Sequence, residues 1–418
     1  MKIKGPKKIL FDFVLFLPYF ILLVFLSALA TNLYKAGNVD YGAVRTGVRE
    51  FLLSDRSEVR VDRSARKLLL SYRYLFPGGK GPETTRVLDF EPSGDAFDIV
   101  VLGSSPVYSV SPLAGGAEGF FPEKLEKGFK EKFPEEKVRV YNLGMTSADS
   151  SVIRGIAEKT GGGKGIDLAV FYYGGGMDLE TAYYAAGVKE KHYILDLIPG
   201  KRPVGPGGGS QGSWAGTAGK YLSWFNRTYV QPYFLYFFQK AGLLELPYAP
   251  FAEINAMITD EMLSNIKAAV SVFRENGVPV VLVSPLSNLE ARPYGIKGVT
   301  DRYYEMGMSS GDPGERYMYL SMARDSEAFT GDLGPRLRMI RELPYIAEEM
   351  GEDVYFFDLA AELIPEWKGF GYRYFFDYGH MKPVLHRLVA EKIYVYLTGK
   401  GLAARPGKKK KDETGGKY

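Results

Sequence analysis

The sequence predicts an α/β protein on about five parallel strands, tethered outside a membrane by an N-terminal helix. Three observations predict it. Five apolar runs of strand length alternate with helical segments. The first of those runs to carry a polar end stops on Gly-Ser-Ser. A longer apolar stretch precedes them all, directly after a cluster of lysines.

Residues 1–8 hold Lys2, Lys4, Lys7 and Lys8, and 9-ILFDFVLFLPYFILLVFLSALA-30 follows. As a helix the stretch from 9 to 30 measures roughly 33 Å, about one hydrocarbon core. Its lack of polar positions at helical spacing separates it from a core helix. The lysines keep the short N-terminus in the cytoplasm, so the rest of the chain is expected in the periplasm or outside the cell. Ala28-Leu29-Ala30 resembles a signal-peptidase site, but the run is long for a cleaved signal, which favours an uncleaved anchor. Residues 31–95 read as a polar, irregular stalk with one or two short helices. The main α/β unit is expected over 96–400, and 401–418 as a disordered basic tail.

Within that unit the strand candidates are 97–103, 138–144, 167–173, 278–284 and 353–359. Each is a continuous rather than an alternating run, as strands covered on both faces are. The helix 259-TDEMLSNIKAAVSVFREN-276 has Thr259 as its expected cap, Asp260 and Glu261 in the first turn, and Gly277 as its stop. Loops at the carboxyl ends of a parallel sheet build its site. Gly103-Ser104-Ser105, Asn142-Leu143-Gly144 and Gly174-Gly175-Gly176 all stand at such ends. An insertion over about 180–255 contains the Gly-rich 203-PVGPGGGSQGSWAG-216 and the aromatic 221-YLSWFNRTYVQPYFLYFFQK-240. The aromatics fit either an inward-packed helical subdomain or a lid that touches glycan or membrane. A second connection, 285–335, is expected to form another wall of the cleft.

Composition removes several functions. The net charge of +4 divides into four lysines at the N-terminus and +4 in the tail 405–418, which leaves the middle of the chain at −4. No basic face for nucleic acid is therefore expected. Without cysteine there is no disulfide, no thiolate nucleophile and no thiolate metal site. No metal and no cofactor are expected. The three histidines, His192, His380 and His386, bound the search for a general base.

His380 is the candidate. In 374-YFFDYGHMKPVLHRLVAEKIYVYL-397, Asp377 precedes it by three residues, just before a helix with Pro383 in its first turn. Leu385, Leu388, Val389 and Ile393 share one helix face. A carboxylate so placed can accept from one ring nitrogen and aim the other outward. Ser105 supplies the hydroxyl. His386 belongs to the helix and His192 to the insertion.

These motifs resemble the SGNH (GDSL-like) hydrolase superfamily, whose four blocks sit on a flavodoxin-like three-layer sandwich. Leu102-Gly103-Ser104-Ser105 looks like the first block and implies Ser105 as nucleophile. The stretch 142-NLGMTSA-148 looks like the second, with the N–H of Gly144 joining that of Ser105 in an oxyanion hole. The third block falls on 175-GGMD-178, which makes Gly176, Met177 and Asp178 near-site residues. Asp377 and His380 match the last. Two departures stand out: Ser104 replaces an aspartate, as in membrane-anchored members such as lipoteichoic-acid D-alanyl transfer proteins, and Met177 replaces the Asn that adds an oxyanion donor. The resemblance implies an esterase or O-acyltransferase acting on acyl, commonly acetyl, esters of envelope or exported polysaccharide. It also implies a membrane-bound O-acyltransferase as partner. A catalytically weak protein of the same fold that binds glycan or scaffolds an envelope assembly is the alternative, and Met177 is its support.

Overall fold

The computed structural model describes residues 40–64, 66–76, 79–92, 95–108, 119–162, 165–186, 248–293, 298–326 and 337–403. The expected anchor at 9–30, the tail from 404, His192 and the insertion from 187 to 247 lie outside them. Among the described residues no helix is long and apolar enough to cross a membrane.

Residues 41–89 depart from the irregular stalk read from the sequence. Helix α1 (Tyr41–Leu52) starts on Asp40, whose carboxylate accepts from Ala43 N–H at 3.0 Å. Four strands follow: β1 (Ser57–Ser64), β2 (Lys67–Phe76), β3 (Gly79–Lys80) and β4 (Thr84–Asp89). They form an antiparallel sheet in which β2 lies between β1 on one side and β3 and β4 on the other. The cause is a period of two in 67-KLLLSYRYLF-76. Leu68, Leu70, Tyr72 and Tyr74 all turn inward and join the main core, each at 2% exposure or less.

The central sheet comprises β5 (Phe97–Gly103), β6 (Val138–Asn142), β7 (Leu168–Tyr172), β8 (Val280–Val283) and β9 (Val354–Phe357). All neighbours are parallel and the order is β6-β5-β7-β8-β9. Numbered within this sheet that order is 2-1-3-4-5, the flavodoxin-like arrangement. Apart from the buried Asp98, paired with Arg139 at 2.6 Å, β5 is apolar, and its side chains divide between two cores. Val100 and Leu102 pack towards α3 (Ser150–Thr160) and the helices beside it, while Ile99 and Val101 pack on α2 (Phe121–Lys132) and the C-terminal helix. The result is a three-layer sandwich, as expected.

Two further helices precede β8. α4 (Gly176–Ala185) leaves β7, and α5 (Tyr248–Glu275) returns to the sheet. Thr259 is not the cap of this helix, which already runs from residue 248. Its hydroxyl bonds back to the carbonyl of Asn255 at 2.8 Å, a pairing that keeps a threonine inside a helix. Gly277 does end it, at φ +70°. The connection after β8 folds as α6 (Thr300–Ser309) and α7 (Pro313–Asp325), followed by α8 (Leu337–Met350), α9 (Leu359–Leu363) and α10 (Pro383–Gly399). Leu385, Val389 and Ile393 of α10 are fully buried, and Leu388 packs beside them.

Candidate active site

β5 ends in a tight turn. The N–H groups of Val107 and Tyr108 both donate to the carbonyl of Ser104, at 2.9 and 3.2 Å. Gly103 permits the turn, because a Cβ there would lie 2.2 Å from the carbonyl oxygen of Tyr172 and 2.4 Å from Val107 Cγ2. The two serines separate at this point: Ser104 is buried and Ser105 is half-exposed.

Asp377 and His380 occupy the tip of a short finger. Phe375 and Met381 bridge in antiparallel fashion, the amide of Phe376 donates to the carbonyl of His380 at 2.9 Å, and that of Lys382 to Tyr374 at 2.8 Å. Asp377 Oδ2 lies 2.7 Å from His380 Nδ1. Asp377 Oδ1 accepts the amides of Gly379 at 3.0 Å and His380 at 2.8 Å. Burial pushes this carboxyl up, but the imidazole and the two amides outweigh it and hold the group below the usual carboxylate range. The carboxylate side chain is 15% exposed and the imidazole 35%, so the pair stays open to a substrate.

Tyr172 joins the finger to the turn. It ends β7 in register with Gly103, and its hydroxyl donates to Met381 Sδ at 3.8 Å while accepting from Leu286 N–H at 3.0 Å. The residue beside His380 is thereby fixed to the strand beside Ser105, although Asp377 and Ser105 are far apart in sequence.

The loop after β6 differs from the expectation at Gly144. Its N–H donates to Asn142 Oδ1 at 3.0 Å, so the donor assigned to an oxyanion is engaged within its own loop. A polar cluster explains why. Arg86 of β4 donates from Nη1 to Asn142 Oδ1 at 3.3 Å and to the Gly144 carbonyl, and its guanidinium stacks 3.5 Å above the Tyr108 ring. Burial lowers the Arg86 guanidinium to about 10, with Tyr108 and Glu123 opposing the drop. Further along, the hydroxyls of Tyr72 and Tyr74 donate to the carbonyls of Thr146 and Ser147 at 2.6 and 2.7 Å. Between these straps Ser147 takes φ +57°, a left-handed backbone rare for serine. Sequence reasoning missed Arg86, Tyr72 and Tyr74, whose only signal was the alternation in 67–76 and the β-rich pattern of 84–89.

Gly175 caps α4 at φ +70°, where a Cβ would meet Met262 Sδ at 2.3 Å. Gly176 and Met177 fill the helix's first positions, and the Met177 carbonyl accepts from Thr181 Oγ1 at 2.9 Å. Asp178 turns inward. Its carboxylate accepts from Ser150 Oγ at 2.5 Å and from the Tyr173 hydroxyl, with Arg56 Nη1 3.7 Å away and Asp149 nearby across Arg56 at 4.0 Å. Burial and then the Asp149 charge push Asp178 up to about 7. It braces α4 against α3. His386 is also structural in placement: it is buried in α10, edge-on to Phe120 at 5.2 Å. Among the described residues no group of three His, Asp or Glu side chains is placed to hold a metal ion.

Three of the four sequence blocks thus stand at the carboxyl ends of β5, β6 and β7, and the fourth stands on the finger tied to β7. No protein-family model and no curated protein matches the sequence. Among solved structures the chain is similar to Axe2, an acetylxylan esterase from Geobacillus stearothermophilus, at 14% identity and a TM-score of 0.38, over 75% of this chain and 98% of that one. It is also similar to the lipase/acylhydrolase from Enterococcus faecalis, at 15% identity and 0.33, over 73% and 96%. A third is LAE5, an alpha/beta hydrolase enzyme from the metagenome of Lake Arreo, Spain, at 13% and 0.33, over 75% and 99%. At these identities and scores the likenesses assign neither an activity nor a residue role to this chain.

Proposed function

We propose that the chain is a serine esterase or O-acyltransferase of the SGNH type, anchored through residues 9–30, that acts on acyl esters of exported polysaccharide. The observation that carries this reading is the Asp377–His380 pair, fixed through Tyr172 to the same sheet end as Ser105. A bonded Nδ1 selects the tautomer in which Nε2 is the base. Ser105 Oγ then attacks the acyl carbonyl as Nε2 takes its proton. The alkoxide leaves with that proton, and an acyl-enzyme remains. Water returns the acid, whereas a sugar hydroxyl receives the acyl group in transfer. Asp377 stabilises the imidazolium in both halves.

For the oxyanion, Ser105 N–H is one donor. The second comes from the loop after β6, either from Gly144 on release from Asn142 Oδ1 or from the strained turn at Ser147. A membrane-bound O-acyltransferase that supplies acyl groups is the proposed partner, and acetyl the proposed acyl group. A second reading, a catalytically silent protein of this fold, draws its support from the engaged Gly144 N–H and from Met177.

Incubation of the full chain in detergent with an acetylated reporter ester, with and without an oligosaccharide, tests the proposal. Acetate alone marks an esterase, and acetyl-sugar marks a transferase. Neither product would contradict both forms of the reading.

A further inference from the structure

Between β8 and α6 the chain runs through 284-SPLSNLEAR-292, where Asn288 is wholly buried. Its backbone N–H donates to the carbonyl of Tyr378 at 2.9 Å, and its Nδ2 donates to the carbonyl of Asp377 at 3.0 Å. Two consecutive carbonyls of the Asp377–His380 turn therefore hang from one residue. The same turn folds back on the Asp377 carboxylate through the amides of Gly379 and His380, so moving the carbonyls moves the carboxylate.

Asn288 is held in its turn. Its Oδ1 accepts from Ala291 N–H at 3.2 Å, and its carbonyl accepts from Arg324 Nη2 at 3.0 Å. Arg324, near the end of α7, is 1% exposed. The same nitrogen donates to the Ala291 carbonyl at 2.8 Å, and the guanidinium lies 4.9 Å from the centre of the Tyr378 ring. A buried guanidinium is costly unless its donors meet acceptors. Here they meet the loop that carries Asn288, on one side, and cover the residue after Asp377 on the other.

We propose that Asn288 is a positioning residue for the Asp377–His380 pair, and that Arg324 holds Asn288 in place for that task. This rests on the functional reading above. Loss of the Nδ2 donor leaves the Asp377 carbonyl without that partner, and the carboxylate drifts from Nδ1.

The test compares p-nitrophenyl acetate hydrolysis by the full chain in detergent for wild type, Asn288→Ala, Arg324→Lys, His380→Ala and the doubles with His380→Ala. Asn288→Ala is expected to lower kcat by about 10- to 100-fold, the scale of lost alignment. KM should stay within about twofold, because the residue acts on chemistry and not on binding. In the His380→Ala background it should cost nothing further, since no imidazole remains to be aligned. Arg324→Lys keeps the charge but loses the planar fork, and should follow the same pattern more weakly; it decides the matter should Asn288→Ala not fold. An equal fractional loss in both backgrounds, or an unchanged kcat, overturns the positioning role. His380→Ala at the wild-type rate, or no turnover by wild type, overturns the functional reading itself and the inference with it.

Discussion

The carboxylate of Asp377 grips His380 twice, through the ring nitrogen Nδ1 at 2.7 Å and through the backbone N–H at 2.8 Å. Imidazole and main chain are thus oriented by one side chain, three residues earlier at the start of the turn. Asp377→Asn keeps the size but offers the wrong donor to Nδ1. A kcat loss of roughly 10⁴-fold is expected, the scale for the same change in a serine triad. Steady-state hydrolysis of a reporter ester measures it.

The depressed Asp377 pKa also has a stability consequence. A carboxyl lower in the folded than in the unfolded chain stabilises above its unfolded value, about 3.9, and loses that contribution as pH falls through the folded value. Wild type is therefore expected to lose stability more steeply than Asp377→Asn below about pH 4. Denaturant unfolding at pH 3 to 5 reads the difference.

Asp178 has the opposite sign. With its folded pKa pushed up to about 7, the folded chain binds the proton that the unfolded chain has released. Stability from this group is present at low pH and declines as pH rises from about 4 towards 7. Melting temperature between pH 5 and 7.5 should fall in wild type, and Asp178→Asn should flatten that slope whatever its absolute stability.

Gly103→Ala is expected to disrupt the Gly103-Ser104-Ser105 turn, since the clash is with the backbone of Tyr172 and cannot relax by a rotamer change. Overpacking of this kind costs about 1–3 kcal/mol or more. At Gly144 the added methyl meets Val107 Cγ1 at 2.7 Å and Cβ at 2.8 Å, a longer approach than the 2.2 Å backbone clash at Gly103, so Gly144→Ala should destabilise less than Gly103→Ala. Thermal unfolding of both variants checks the order.

Much of the fold was legible because the five parallel strands are apolar on both faces and so stand out as continuous runs. The same habit hid β1 to β4, where burial is one-sided and the inward Leu68, Leu70, Tyr72 and Tyr74 alternate with Leu69, Ser71 and Arg73 on the other face. Asp377 and His380 were readable because their pairing is local. Asn288, Arg86 and Tyr172 were not, for each acts across the fold on residues far away in sequence, and no local pattern marks a side chain that bonds to a distant carbonyl. The engagement of Gly144 by Asn142 was hidden for a different reason. Spacing places a backbone amide in a loop but does not say which acceptor the loop itself provides.

Met177→Asn tests whether the first turn of α4 takes part in the reaction. A side-chain donor restored at the first turn of α4 is expected to raise kcat, by up to about 100-fold if it reaches the oxyanion. An unchanged rate would place that helix end outside the reaction.

The most direct measurement is covalent labelling of the full chain in detergent by a fluorophosphonate, with mass mapping of the adduct. Labelling of wild type at Ser105, abolished in Ser105→Ala and strongly slowed in His380→Ala and Asp377→Asn, is the expected result. An unlabelled wild type, or an adduct that persists in Ser105→Ala, would contradict the assignment of Ser105, His380 and Asp377 as one nucleophilic unit.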